Sequence, residues 1–247
     1  MGYEELLELV KNRRTIRVIR PDPIAAGLLD KALEVARWAP SGFNMQPAEF
    51  LVLESPESRG AVKKIIDAWI DDDFYPLEAT REPWQGPVWT LENRGRVACP
   101  AAPAYVLVLG DRRRKAGLPM NARYCLQKGD SIFESSLANA FMYLWLAVHS
   151  LGLAGQPVSI VKNERPQALI KHLLGLPEFI YVYEMLAIGY SGLDDGPPAK
   201  LLRHFDEVVH KGPAGDGEFL SDEELRKQIR KLRMGNVARH ATAEEGE

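Results

Sequence analysis

The amino-acid sequence predicts an α+β fold, in which helices surround a mixed or mostly antiparallel central sheet. Apolar residues recur at helical spacing in several segments, which indicates amphipathic helices. Short apolar segments are typical of buried strands at 50–53, 104–109 and 180–188. Because helices and strands do not alternate strictly along the chain, a parallel sheet built of βαβ units is not favoured.

Three helices are predicted in the first quarter of the chain. The first ends near Asn12, and the second covers residues 23–38. The second helix must end before Pro40, because the residue preceding a proline disfavours helical geometry. Ser55 and Pro56 then begin the third helix as an N-cap and a first-turn proline.

The longest predicted helix covers residues 130–151 and carries few charges. It is apolar on most faces, and such a helix must be buried nearly all round. In one modest domain this predicts a central helix or one shared with a second subunit. Further helices are predicted over 166–174 and from the capping box Ser221–Glu224 to about Arg233, with a disordered tail beyond.

The segment 74–103 shows little periodicity and contains several prolines and two tryptophans, Trp84 and Trp89. Long irregular segments in compact domains are usually functional or mobile. We predict a lid or substrate-side loop; the alternative is an arm that packs its tryptophans against a partner subunit. The predicted organisation is one domain over 1–215 that carries this segment, followed by a charged helix and tail over 216–247.

The composition argues against several classes of protein. The 247 residues are 46% hydrophobic and 26% charged, with a net charge of −3, so no bulk attraction to nucleic acid or anionic membranes is expected. No run approaches the ~20 apolar residues of a membrane span. The amphipathic start is unlike a signal peptide, and Cys99 and Cys125 form no disulfide framework, so a cytoplasmic location is predicted. The basic run 111–115 is interpreted as a solvated loop.

Motifs of other common sites are missing from the sequence. It contains no glycine-rich dinucleotide fingerprint after a strand, no phosphate-binding P-loop and no HExxH pair. The spacing of His204, Asp206, Glu207 and His210 resembles a metal site only weakly, and no metal is predicted.

Four segments carry residue types that suit a phosphorylated aromatic ligand. Arg13–Arg17 contains three arginines, whose planar forks of donors match phosphate oxygens. Ala39–Pro47 supplies donors and acceptors around Gly42, which lets the backbone approach a flat ring closely. Gly152–Ser159 leaves the long helix through small residues, and the strand end 189–192 precedes two further cations. Each segment alone is also compatible with an ordinary turn or loop.

Together, these segments resemble the nitroreductase family in order and spacing over roughly residues 9–55 and 130–210. The resemblance implies a nitroreductase-like fold and an intertwined homodimer with FMN bound at the subunit interface. The implied cofactor-binding residues are Arg13, Arg14, Thr15, Pro40, Ser41, Asn44, Gln46, Pro157, Val158, Ser159, Lys200 and Arg203.

The resemblance also implies a role for each group of residues. Arg13–Thr15 would meet the ribityl phosphate and the pyrimidine edge of the flavin, and the residues of Pro40–Gln46 would line the ring. Pro157–Ser159 would lie over the ring with a backbone N–H near N5, and Lys200 and Arg203 would hold phosphate. The chain departs from the family pattern at Ser159-Ile160, where many members carry an acidic residue or two glycines.

The implied activity is that of an FMN-dependent oxidoreductase. Electrons from NADH or NADPH would pass through flavin N5 to a small organic acceptor, nitroaromatic or quinone-like in vitro, in a ping-pong sequence. The cofactor carries the chemistry, so no catalytic side chain is assigned; Trp84 and Trp89 are predicted to select the substrate. The alternatives are a flavin-binding protein without turnover and a relative with other flavin chemistry, such as enone reduction, dehalogenation or flavin fragmentation.

Overall fold

The computed structural model describes residues 2–82, 84, 101–193, 200–213, 215 and 219–241. The described residues fall into two compact units. The first unit contains those up to Ile70 and residues 101–193, and the second contains residues 71–84 and those from Lys200 onward. The domain limits drawn from the sequence stay a prediction.

An antiparallel sheet forms the centre of the first unit. Its strands, within the described residues, are β1 (Ile19–Arg20), β2 (Ala48–Leu53), β3 (Ala104–Asp111), β4 (Ala154–Val158) and β5 (Ile180–Ser191). Strand β5 pairs with β3 along one side, and β3 pairs with β2. The other side of β5 pairs first with β4 and then, farther along β5, with β1. All of these pairs are antiparallel, which confirms the predicted α+β class.

Helices of the first unit cover its sheet. In chain order the helices of the described residues are α1 (Tyr3–Asn12), α2 (Leu28–Arg37), α3 (Pro56–Trp69), α4 (Tyr75–Glu78), α5 (Met120–Arg123), α6 (Leu126–Ser150), α7 (Glu164–Leu173) and α8 (Asp222–Ala241). Of these, α4 and α8 belong to the second unit. Strand β3 is buried at every position, as expected for a strand covered on both faces. The core on one face of the sheet is formed mainly by α2 and α6, with Leu137, Leu144 and Leu186 among its fully buried members.

Several element boundaries differ from the prediction. The second helix begins at Leu28, because Gly27 adopts a left-handed conformation with φ 78° and a turn precedes it. The third helix begins as predicted, with the Ser55 hydroxyl accepting a hydrogen bond from the Ser58 N–H at 3.1 Å. The capping box at Ser221 and Glu224 is formed, and the helix that it begins continues past the predicted end to Ala241.

Helix α6 is not buried all round within one chain. Its buried side chains face the sheet and α2, whereas Met142 and Tyr143 each remain 39% exposed. The expectation of burial on nearly all faces is therefore not met within one chain, and a helix shared with a second subunit stays a prediction. No helix among the described residues is both long and apolar enough to cross a membrane.

In the basic run 111–115, Arg112, Arg113 and Arg114 are exposed as predicted, but the run is not an irregular loop. Asp111 ends the buried strand β3 and accepts a hydrogen bond from the Arg113 N–H at 2.9 Å, which caps a 3₁₀ helix over Arg112–Gly117. The Arg113 guanidinium pairs with the same carboxylate at 2.7 Å and lies 3.7 Å from the Phe179 ring centroid. Charge composition alone could not show that this arginine has a carboxylate and an aromatic partner.

The segment predicted to be irregular from residue 74 begins in helical structure. A π-helical turn, Ile70–Phe74, follows α3 and leads directly into α4. Within the second unit, the Trp84 ring lies 5.5 Å from the guanidinium carbon of Arg226 on α8. Trp89 lies outside the described residues.

Candidate functional site

The first and third of the predicted ligand-binding segments meet at the outer edge of β4. Thr15 pairs with Gly155 as an isolated parallel bridge, and the Ile16 N–H donates to the Gly155 carbonyl at 3.2 Å. Backbone groups alternate between the two edges of a strand, so Pro157 directs its backbone to the same outer edge. A proline is tolerated there because it removes no hydrogen bond to β5.

Arg13 is the most unusual residue of this edge. Its guanidinium carbon lies 3.9 Å from the Trp145 ring centroid, and its Nη1 atom is buried without a hydrogen-bond partner. Burial, and secondly the positive charge of Arg14, lower the pKa of Arg13. A buried donor without an acceptor is costly, so an anionic or carbonyl oxygen is the group that would satisfy it.

Two further basic groups share this environment. The Arg14 guanidinium donates to the carbonyl oxygens of Lys11 and Arg13. His149 lies one turn beyond Trp145 on α6, and the pKa of its imidazole is lowered by burial first and then by the charges of Arg13 and Arg14. The region is therefore electropositive and suited to an anionic ligand. Trp145 and His149 belong to it although no sequence motif predicts them there.

The end of β4 presents the remaining residues of the third segment. Val158 is buried, Ser159 is exposed and Ile160 is half-buried. Ser159 begins a 3₁₀ helix that ends at Lys162. The exposed Ser159 thus directly follows β4, the strand whose Gly155 contacts the arginine segment.

The second segment forms a strained polar loop. Phe43, Asn44 and Gln46 have φ values of 53°, 50° and 46°, in the left-handed region that non-glycine residues rarely adopt. The Ser41 hydroxyl accepts from the Gln46 N–H at 2.9 Å, and the Gln46 side-chain amide donates to Asn44 Oδ1 at 2.8 Å. Such strain persists where surrounding structure enforces it, and it clusters at functional sites.

This loop is fastened to helix α6. The Gly42 N–H donates to the Ser136 hydroxyl at 3.1 Å, and the Asn139 side chain donates to the Pro40 carbonyl at 3.0 Å. A Cβ atom on Gly42 would collide with Ile132 of α6. The structure thus gives another reason for glycine at position 42 than the predicted approach to a ligand: the backbone of Gly42 packs closely against helix α6.

A cavity of about 160 Å³ lies beside the loop, lined among others by Ser41, Gln46, Ser136 and Arg114. Arg114 belongs to the basic run 111–115, for which the sequence predicts a solvated loop. The cavity has polar walls and is open to solvent, so it extends the polar surface of the loop.

The two halves of the candidate site lie on opposite faces of α6 within one chain. Arg13 packs on the ring of Trp145, and the loop is hydrogen-bonded to Ser136. Trp145 follows Ser136 by nine residues in the same helix. Nine residues of α-helix advance about 14 Å and end about half a turn away. The structure thus brings together the first and third segments and separates them from the second.

The fourth segment lies partly in the second unit. Lys200 is exposed, and Arg203 pairs with Glu207, its Nε lying 3.8 Å from the Glu207 carboxylate and its Nη2 donating to the Glu207 carbonyl. A phosphate-binding role for these two residues stays a prediction. Within the described residues, no group of three or more acidic, histidine or cysteine side chains could hold a metal ion.

An antiparallel sheet with a desolvated arginine at one edge and a strained polar loop on its long helix is typical of a cofactor-binding α+β protein. Residues 10–190 match the model of the nitroreductase family, and the chain belongs to that family.

Known relatives are distant but cover most of the chain. An NADH dehydrogenase of Thermus thermophilus is 28% identical over 203 residues, which span 77% of this chain and 88% of the relative. Iodotyrosine deiodinase 1 of Rattus norvegicus is 23% identical over 210 residues, 85% of this chain and 70% of the relative. A crystal structure of oxidized iodotyrosine deiodinase bound to FMN and 3-iodo-L-tyrosine superposes with a TM-score of 0.61 at 21% identity, covering 85% of this chain and all of the other. The nitroreductase-like fold expected from the sequence is confirmed.

Proposed function

We propose that this chain is an FMN-dependent oxidoreductase that uses NADH or NADPH to reduce a small organic acceptor. The observation that carries the proposal is the half-buried Arg13, whose guanidinium packs on the Trp145 ring and whose buried Nη1 atom lacks an acceptor. Phosphate oxygens or the carbonyl edge of a flavin would supply that acceptor. The family match supports the choice of FMN over other anionic ligands.

The residues present fit this cofactor. Arg13, Arg14 and Thr15 would hold the phosphate and the pyrimidine edge, and Pro157–Ser159 would lie over the ring, with Lys200 and Arg203 as further phosphate ligands. When bound, FMN supplies hydride and electron transfer at its N5 atom. A fixed cation at Arg13 favours negative charge at the pyrimidine edge, because the guanidinium is already desolvated and needs no reorganisation.

A second copy of the chain would complete the site. The loop over Ser41–Gln46 and the arginine segment contact opposite faces of α6, so a single chain presents them on different sides of that helix. The exposed apolar side chains of Met142 and Tyr143 on α6 suit an interface between two copies. We therefore infer a homodimer in which Pro40, Ser41, Asn44 and Gln46 of one subunit line the flavin held by the other.

The names of the relatives support the two candidate reactions. The NADH dehydrogenase of Thermus thermophilus supports a nicotinamide donor. Iodotyrosine deiodinases among the relatives make reductive dehalogenation of an iodinated aromatic the second candidate. Trp84 and Trp89 are proposed to influence the choice of acceptor, so Trp84→Ala should change the relative rates with different acceptors and leave FMN bound. Identical relative rates would contradict this role.

Anaerobic visible spectroscopy tests the proposed function. The purified full chain, reconstituted with FMN, should show protein-bound flavin bands that bleach with NADH or NADPH. Addition of menadione or a nitroaromatic should restore the bands, whereas restoration only by 3-iodotyrosine would favour dehalogenation. Bound flavin that neither nucleotide bleaches would indicate a binding protein without this turnover, and a chain that binds no FMN would contradict the proposal altogether.

A further inference from the structure

We infer that Trp145 is a positioning residue, which holds the Arg13 guanidinium in place for the flavin. This inference rests on the proposed function. It concerns a residue of α6 whose ring centroid lies 3.9 Å from the guanidinium carbon of Arg13. The sequence placed Trp145 only among the apolar residues of a buried helix.

The indole ring is itself held from two sides. Trp145 is 8% exposed, and the Phe141 ring one turn earlier lies 5.8 Å away at an angle of 56°. On the other side is Gly155 of β4, where an added Cβ would lie 3.1 Å from the indole Nε1 and 3.2 Å from Cδ1. Glycine at position 155 thus leaves the space that the indole occupies. The same Gly155 carries the bridge to Thr15, so ring, strand and arginine segment are fixed together.

An aromatic partner suits a cation that must bind an anion. A ring face stabilises the guanidinium through its quadrupole, and it uses none of the N–H donors. A carboxylate partner would instead neutralise the charge and occupy the donors that phosphate or a flavin carbonyl needs. The nearby charge that shifts the pKa of Arg13 is the cation Arg14, not a carboxylate. Trp145 therefore orients Arg13 while leaving its charge and its Nη1 donor for the ligand.

The test measures the dissociation constant of FMN for the full-length apoprotein by flavin fluorescence titration. Trp145→Leu removes the ring face and should weaken binding by about tenfold. Trp145→Phe restores a ring face and should recover most of the affinity. Phe133→Leu removes a buried aromatic ring from the same helix, 12 residues earlier, and should leave the constant within about twofold.

A double-mutant cycle separates positioning from a general packing effect. If Trp145 acts through Arg13, then Trp145→Leu should change the constant little in a chain that already carries Arg13→Gln. Should Trp145→Leu fail to fold, Trp145→Met takes its place, since methionine fills irregular core space without a ring face.

The outcomes are distinct. Wild-type affinity in the Leu or Met variant, no recovery with Phe, or the same loss of affinity with and without Arg13 would each overturn the inference while the wild-type chain still binds FMN. A wild-type chain that binds no FMN would instead overturn the proposed function and this inference together.

Discussion

Thr15 and Gly155 lie side by side as a parallel bridge at the outer edge of β4, and the Ile16 N–H donates a hydrogen bond to the Gly155 carbonyl at 3.2 Å. This contact joins the arginine segment at the start of the chain to the Pro157–Ser159 segment. It also places Arg13 over α6, where its charge is desolvated. Cofactor affinity, stability and assembly should all depend on this arrangement.

Arg13→Gln should weaken FMN binding by about ten- to a hundredfold, because a hydrogen bond to a charged group contributes ~1.5–3 kcal/mol. Fluorescence titration of the apoprotein measures the loss. Arg20→Gln is the control: Arg20 is exposed, already pairs with Asp22 at 3.1 Å, and should have no effect on the dissociation constant. Equal losses in the two variants would indicate a nonspecific effect of net charge.

Gly155→Ala should destabilise the folded chain by about 1–3 kcal/mol, since the new methyl group overpacks a filled space. Its Cβ would lie 3.1 Å from both the Leu186 Cδ1 and the Trp145 Nε1 atoms. Urea unfolding followed by circular dichroism gives the difference. Gly60→Ala, in helix α3 with nothing within 4 Å of the added Cβ, should be stabilising by roughly 0.5–1 kcal/mol. A Gly155→Ala chain as stable as wild type would show that the space is not filled.

Met142→Glu should shift the protein from dimer to monomer, because it introduces a charge into the exposed apolar face of α6. Analytical ultracentrifugation with and without FMN measures both states, and the monomer should bind FMN weakly. The matched control is Leu173→Glu, at an apolar position on α7 that is 44% exposed. A Met142→Glu chain that remains dimeric would argue against this face as the interface.

Glu184 should make stability depend on pH. It is 7% exposed, its Oε2 lies 3.2 Å from Lys162 Nζ, and its pKa is raised above 4.5 by burial, an effect that Lys162 only partly offsets. The folded state therefore binds the Glu184 proton more tightly than the unfolded state does. The contribution of Glu184 to the free energy of unfolding is fully present below pH 4.5 and is lost as the pH rises through the higher pKa of the folded state.

Glu184→Gln removes this titration. The free energy of unfolding of wild type, minus that of the variant, should decrease as the pH rises from about 4 towards 7. A difference that increases with pH would mean that the ion pair with Lys162 outweighs burial.

The sequence predicted the fold class and most elements, because their periodicity and end signals are local. Ser55 and the Ser221–Glu224 capping box are examples, since each sets a helix start through contacts within a few residues. Partners distant in the chain left no such signal. The contacts of Trp145 with Arg13, of Ser136 with Gly42 and of Phe179 with Arg113 follow from three-dimensional packing.

The candidate site shows the same limit of local patterns. The motifs predict Arg13 and Ser41 as residues of one site, but they could not show that the two contact opposite faces of one helix. That relation requires the phase of α6, which an apolar helix with weak amphipathicity does not reveal.

Complementation between two defective chains tests most directly whether the site is shared by two subunits. Chains with Arg13→Gln and chains with Asn44→Ala plus Gln46→Ala should each bind FMN weakly as homodimers. Unfolded together and refolded, they should form heterodimers with one intact site, so up to one FMN per heterodimer should bind with wild-type affinity. Heterodimers that form, as shown by differently tagged chains, yet recover no tight binding would contradict a site built from Arg13 of one subunit and the strained loop of the other.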